Sequence, residues 1–163
     1  MIEHRRWWAT VALCALSWGC GGGDGDSPGA FDAAPPIDAD PAVLRVGGEY
    51  ATEVSLGQST CEGITVESMP TIVGHTPGAA ELTLTHAGQT YSGGVERDGA
   101  FATEPEPVGT PAELHTLTIT GGFSTTGFEA TVDAAVSRDG IHDCDYQVNW
   151  AGTKAGEPNV IPG

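Results

Sequence analysis

From Val43 onward, apolar and polar residues alternate with period two, and this alternation predicts half-buried strands. Tyr50, Thr52, Val54 and Leu56 alternate with Glu49, Ala51, Glu53 and Ser55. A second, less regular strand is expected near Ile64 to Ser68. Ala80, Leu82 and Leu84 share one face of a third, and Ala87-Gly88 turns the chain into Tyr91, Gly93 and Val95. Asp98-Gly99 fits the positive φ angles of a tight hairpin, with Phe101 following it. Three prolines between Glu104 and Pro111 predict a loop there. Leu117 and Ile119 face one way in the next strand, which Gly121-Gly122 is expected to end. The cleanest stretch is Phe128, Ala130, Val132, Ala134 and Val136, and Asp139-Gly140 turns out of it. Cys144, Tyr146, Val148 and Trp150 then share one face of the last strand. No segment carries a helical period over ten residues. The expected fold is all-β, an antiparallel up-and-down meander of about eight strands closed as a barrel, with a β-sandwich as the alternative.

The first 42 residues have a different character. Arg5 and Arg6 precede an apolar run from Trp7 to Trp18, which is the plan of a secretory signal. That run is too short to cross a bilayer core, which takes about 20 residues. It stops at Gly19-Cys20, and Gly21-Gly22-Gly23-Asp24 follows. Here the chain resembles bacterial lipoproteins, whose lipobox ends in an obligatory Cys. The resemblance implies a leader over 1–19, cleavage before Cys20 and lipidation of its thiol. Ser17, Trp18 and Gly19 fill the three places before the Cys, so Leu16 stands one place early and Trp18 is bulky. Ser17 and Gly19 also suit an ordinary signal peptidase, which leaves simple secretion as the alternative. Gly21, rather than Asp, follows the Cys; by the same resemblance the destination is the outer membrane, facing the periplasm or the surface. Several acyl chains make a durable anchor, since each buried methylene contributes about 0.8 kcal/mol.

Residues 21–42 hold five Gly, five Asp, five Ala and four Pro, with Phe31 and Ile37 as the only sizeable apolar residues. That composition buries too little surface to offset ordering entropy, so 20–42 reads as a disordered tether and 43–163 as the folded domain. Like-charge repulsion among the five Asp, with Pro35-Pro36 stiffening the middle, predicts an extended tether.

With Cys14 in the leader and Cys20 at the anchor, Cys61 and Cys144 remain as a pair in an oxidising compartment. Cys61 lies just past the first strand and Cys144 opens the last. In an eight-strand up-and-down barrel those strands are antiparallel neighbours, so a Cys61–Cys144 bridge would staple the closing seam. An immunoglobulin sandwich wants a Trp between the two Cys and a Tyr two residues before the second. Here Trp150 and Tyr146 both follow Cys144. The tripeptide Gly48-Glu49-Tyr50 resembles the Gly-x-Trp opening of lipocalin- and avidin-type barrels, with Tyr in place of Trp; it implies no ligand residues.

Charge removes some partners. Residues 20–163 carry 21 acids against Arg45, Arg97, Arg138 and Lys154. No basic footprint exists to neutralise phosphates, so a nucleic-acid partner is not expected. Docking on an anionic lipid surface is disfavoured for the same reason. Chemistry is sparse too. The chain has no Gly-x-Ser-x-Gly elbow, no phosphate-binding Gly loop, no Cys-x-x-Cys and no His-Glu-x-x-His. His75, His86, His115 and His142 lie far apart without ligand spacing. Asp139, Asp143 and Asp145, with His142, form the nearest thing to a cation cluster, but Ca²⁺ wants six to eight oxygens and Arg138 adjoins them; a solvated acidic turn is the expectation.

The sequence therefore predicts a non-enzymatic envelope lipoprotein with no cofactor, whose β domain binds a small apolar ligand or a protein partner. Eight strands enclose room for side chains or one small ligand, and Tyr50, Tyr91, Phe128 and Trp150 are the candidates to line it. A structural or protein-interaction surface module is the first alternative. A hydrolase is the second, and it would need a cleft where a Ser, Asp or Glu meets one of the four His.

Overall fold

The computed structural model describes residues 43–163. The leader, Cys20 and the tether lie outside the described residues.

Nine strands follow in order: β1 (Gly48–Ser59), β2 (Thr71–Gly74), β3 (Glu81–His86), β4 (Gln89–Val95), β5 (Ala100–Thr103), β6 (Glu106–Thr110), β7 (Glu113–Phe123), β8 (Gly127–Arg138) and β9 (Ile141–Lys154). No helix occurs among the described residues. All pairings are antiparallel, in the order β5-β4-β3-β2-β1-β9-β8-β7-β6, with β5 also paired to β7. The β5–β7 pairing closes the ring into an eight-strand barrel that leaves β6 as an extra strand. A sandwich is thereby excluded, because the sheet returns on itself rather than stacking two faces.

The alternation places most strand faces as expected, although in β1 full burial stops after Thr52 and Leu56 is 40% exposed. Leu82 and Leu84, Tyr91 and Val95, and Phe128 to Val136 at every second residue turn inward and are buried. Asp139 and Gly140 both have positive φ (51° and 79°), the conformation of a two-residue hairpin turn, and they join β8 to β9. Gly93 serves close packing instead, since a Cβ there would lie 2.1 Å from the carbonyl oxygen of Ala102. Only glycine lets β4 and β5 approach that closely.

Three expectations need correction. Ile64 to Ser68 is not a strand; the chain there is a loop, and β2 begins at Thr71. This loop is nonetheless tied down. Val66 packs against the core, and the Ser68 hydroxyl accepts the Val54 backbone N–H at 3.0 Å, taking the place of a ladder partner. Second, the proline-rich segment contains β6. Proline is compatible with a strand whose outer edge is unpaired, since the missing N–H then faces solvent; β6 pairs with β7 on one side and has no partner strand among the described residues on its other side. Third, Gly121 and Gly122 do not end β7, which continues to Phe123.

β6 continues the path of β5 along β7 after a one-residue slip. Ala102 faces Thr120, whereas Glu106 faces Leu117. At that break the Thr103 hydroxyl accepts the Ile119 N–H at 2.9 Å, so a side chain restores the bond that the ladder loses. The first and last strands are paired from Tyr50↔Lys154 to Ser59↔Tyr146. Cys61 and Cys144 form a disulfide with Cα atoms 5.2 Å apart, and it staples this seam just beyond its end. Three hydrogen bonds between Thr60 and the Asp145 backbone support the same junction.

Candidate functional site

Aromatic rings fill the lumen of the barrel. Tyr50, Tyr91, Phe128 and Trp150 are 0%, 5%, 2% and 6% exposed, so the four ligand candidates are all core residues. They fall into two groups. At the end of the barrel that holds Val46 and Asn159, Tyr50 packs on Phe128 with centroids 5.2 Å apart, and Phe101 on Phe123 at 4.8 Å. Further in, Trp150 stacks on His86 at 4.3 Å and meets the edge of Tyr91 at 6.5 Å. Such contacts are the preferred tilted and edge-on geometries of aromatic pairs. A ligand in this space would have to displace the rings.

Polar groups enter the core where a partner is at hand. The Thr52 hydroxyl lies 2.8 Å from that of Thr71, which lies 2.9 Å from His86 Nδ1. Burial holds the His86 pKa below its ordinary 6.5. The sign follows: the unfolded state binds the proton more readily, so this contribution to stability is whole above about pH 6.5 and is lost as pH falls toward the folded pKa. Urea midpoints measured across that range should therefore fall on acidification, and His86→Gln should flatten the slope. An unchanged slope would mean another group carries it.

The four histidines among the described residues separate into different environments. His75 Nε2–H donates to the Ala79 carbonyl, 3.1 Å away. His142 is exposed, 3.3 Å from Asp145. His115 is the one that meets both an acid and a hydroxyl: Nε2 is 3.3 Å from Glu113 Oε1, and Nδ1 is 3.1 Å from the Tyr146 hydroxyl. With Nε2–H donated to the carboxylate, Nδ1 accepts from tyrosine. Glu113 also takes the Arg138 guanidinium at 3.3 Å, and Arg138 reaches Asp143 at 3.3 Å. His115 first and Arg138 second hold the Glu113 carboxyl below its usual range. Part of this chain of contacts is legible in the sequence, since Glu113 and His115 two apart share one face of a strand. Tyr146 is two strands away and is not.

Chemically, these contacts lack a nucleophile. Burial raises the Tyr146 pKa, which opposes the phenolate that a base would have to generate. The Glu113 carboxylate is divided between His115 and Arg138. The geometry is that of a surface tie across β7, β8 and β9. At the last turn, Asp143 and Asp145 are engaged by Arg138 and His142, and among the described residues no three His, Cys, Asp or Glu side chains gather to hold a metal ion. Asp139 occupies the turn itself.

The opposite end, where the chain enters and leaves, has another polar node. The Tyr50 hydroxyl lies 2.6 Å from the Val46 carbonyl and 2.8 Å from Asn159 Oδ1, and accepts from Lys154 Nζ at 3.3 Å. Burial pushes its pKa up to about 12, against the lowering pull of Asn159. Asn159 Nδ2 donates to the Ser124 and Gly127 carbonyls, so this one side chain ties the C-terminal tail to the β7–β8 turn. Lys154 Nζ also donates to the Gly47 carbonyl and sits 4.9 Å from the centre of the Tyr50 ring. No sequence pattern marks this node, because Asn159 lies beyond the last strand. Beside it is an open depression of about 600 Å³ whose lining includes Arg45, His75, Lys154 and Glu157.

No protein-family model, curated protein or solved structure matches the chain. What the geometry defines is therefore a class: a packed, disulfide-stapled antiparallel β-barrel.

Proposed function

We propose that the chain is an exported envelope lipoprotein, anchored through Cys20, whose barrel is a non-enzymatic binding module that meets its partner with its outer surface. The filled lumen is the observation that carries this reading: Tyr50, Tyr91, Phe128 and Trp150 occupy the space a small apolar ligand would need. Fixed rings on a closed sheet make a rigid body whose outward side chains are free to recognise something. The surplus of acids turns the surface as a whole away from phosphate polymers. The Tyr146–His115–Glu113 arrangement does not favour a hydrolase, because it ends on a phenol that burial keeps protonated.

Two measurements test the reading. Native mass spectrometry of protein purified without denaturation should give the mass of the processed, lipidated polypeptide alone. A co-purifying apolar molecule would return the ligand to the lumen and overturn the outer-surface reading. Cys20→Ala should move the protein from the membrane fraction to the soluble one. If wild type is already soluble with an unmodified amino terminus, the anchor is lost and a secreted binding module remains.

A further inference from the structure

We propose that the depression between Arg45 and Lys154, at the end of the barrel where the chain enters, binds the oxyanion of a small soluble molecule, a carboxylate or a phosphate. Three observations meet there. First, residues 43–163 contain only Arg45, Arg97, Arg138 and Lys154 as basic residues, and two of the four line this one depression. Second, among the described residues neither Arg45 nor Lys154 has a carboxylate within salt-bridge distance, although acids are abundant. Glu157 lines the same depression without pairing with either.

Third, the ammonium of Lys154 is partly withdrawn from water and faces only neutral groups: the Gly47 carbonyl, the Tyr50 hydroxyl and the Tyr50 ring. Desolvation lowers its pKa, the mark of a cation that lacks a counter-charge. Gly48 keeps the approach open, since a Cβ there would stand 3.2 Å from Nζ. An oxyanion in the depression would take the remaining Nζ proton and the exposed Arg45 fork, and charge-assisted bonds of this kind are the strong ones. His75 is not counted among the donors. Its Nδ1 is buried without a hydrogen-bond partner and, with Nε2–H given to Ala79, carries a lone pair. The open depression of about 600 Å³ has room for more than a single oxyanion, so a larger small molecule carrying one at its head also fits.

The inference rests on the reading of the barrel as a module that binds from outside, and it does not need the anchor. The test is an NMR titration of the ¹⁵N-labelled mature chain with inorganic phosphate and with citrate, each at constant ionic strength. Saturable shifts at the Gly47, Gly48, Gly74 and Lys154 amides are expected. Arg45 is exposed, so Arg45→Gln should leave the spectrum of the fold intact and weaken binding by roughly tenfold or more. Lys154→Met should abolish it. Absence of saturable shifts with both anions would overturn the proposal, and so would undiminished binding by Arg45→Gln. Binding that appears only after Asp38→Asn and Asp40→Asn would overturn it as well, by assigning the two cations to the chain's own acids. So would binding to phosphatidylglycerol vesicles without binding to either free anion, which would make the occupant a lipid headgroup. None of these failures would touch the filled lumen, which native mass spectrometry tests separately.

Discussion

Replacing both Cys61 and Cys144 by Ser is expected to lower the stability of the folded domain by about 4–5 kcal/mol. The two cysteines are 83 residues apart, so their bridge closes most of the domain into one loop. A loop of that length removes much of the unfolded chain's freedom, and the chain-entropy account places the loss near the top of the range for disulfides. The effect also has a folded-state side. Pairing between β1 and β9 joins the beginning of the domain to its end, and such long-range contacts are the costliest to form without a covalent tie. The three Thr60–Asp145 hydrogen bonds survive the substitution and hold the junction locally. The barrel should therefore keep its spectrum at low temperature while its urea midpoint falls sharply. Urea unfolding of wild type with and without reductant, beside the double variant, checks this. A loss below about 1 kcal/mol would show that the seam is held by its hydrogen bonds alone.

The second large effect is expected at Trp150. Trp150→Ala should cost about 3–5 kcal/mol, because deleting a buried indole removes its transfer energy and leaves a cavity that the surrounding strands fill only in part. Two neighbours lose a partner with it. His86 loses the ring on which it stacks at 4.3 Å, and Tyr91 loses its edge contact. Ile141 is the matched control, since it is 74% exposed and Ile141→Ala should stay within about 0.5 kcal/mol of wild type. Chemical denaturation of the two variants gives the comparison. Equal stabilities would mean that the lumen is not packed around Trp150, and the case for an outer-surface module would fall with it. The variant also offers a direct probe: a small apolar molecule that binds Trp150→Ala and not wild type would mark the vacated volume.

Both effects come from features of unequal visibility in the sequence. The alternation that puts Phe128, Ala130, Val132, Ala134 and Val136 on one face is a local property, because side chains on a strand must alternate across the sheet. It needs no knowledge of the partner strand, and β8 is buried along that face. The hairpin at Asp139-Gly140 is local for the same reason: two residues with positive φ suffice to make it. The Cys61–Cys144 pair follows by elimination and from the geometry of a closed meander. It is readable because the remaining thiols have other expected roles.

β6 is hidden because proline content argues against a strand unless one edge is known to be free, and edge status belongs to the whole sheet. The loop from Ile64 to Ser68 carries strand-like residues and is held instead by Val66 in the core and Ser68 on the Val54 N–H. Those are tertiary contacts that override local preference. Glu113 and His115 are visible as a same-face pair, but the register of β7 with β8 and of β8 with β9 is what brings Tyr146 to them.

By itself, then, the sequence determined the class of the domain, the faces of most of its strands, the Asp139-Gly140 turn and the identity of its disulfide, whereas at Asp98-Gly99 only Gly99 takes a positive φ. Each follows from the period of side chains, the φ preference of Asp-Gly or the count of available thiols. Closure as a barrel was expected from the cysteine pair and is made by β5 on β7; tertiary structure alone decided that the four aromatic candidates fill the lumen and that Arg45 and Lys154 share one depression. The node beside that depression joins residues more than a hundred positions apart, Lys154 at Gly47 and Asn159 at Tyr50. No local pattern encodes such meetings, because they exist only once the first and last strands have paired.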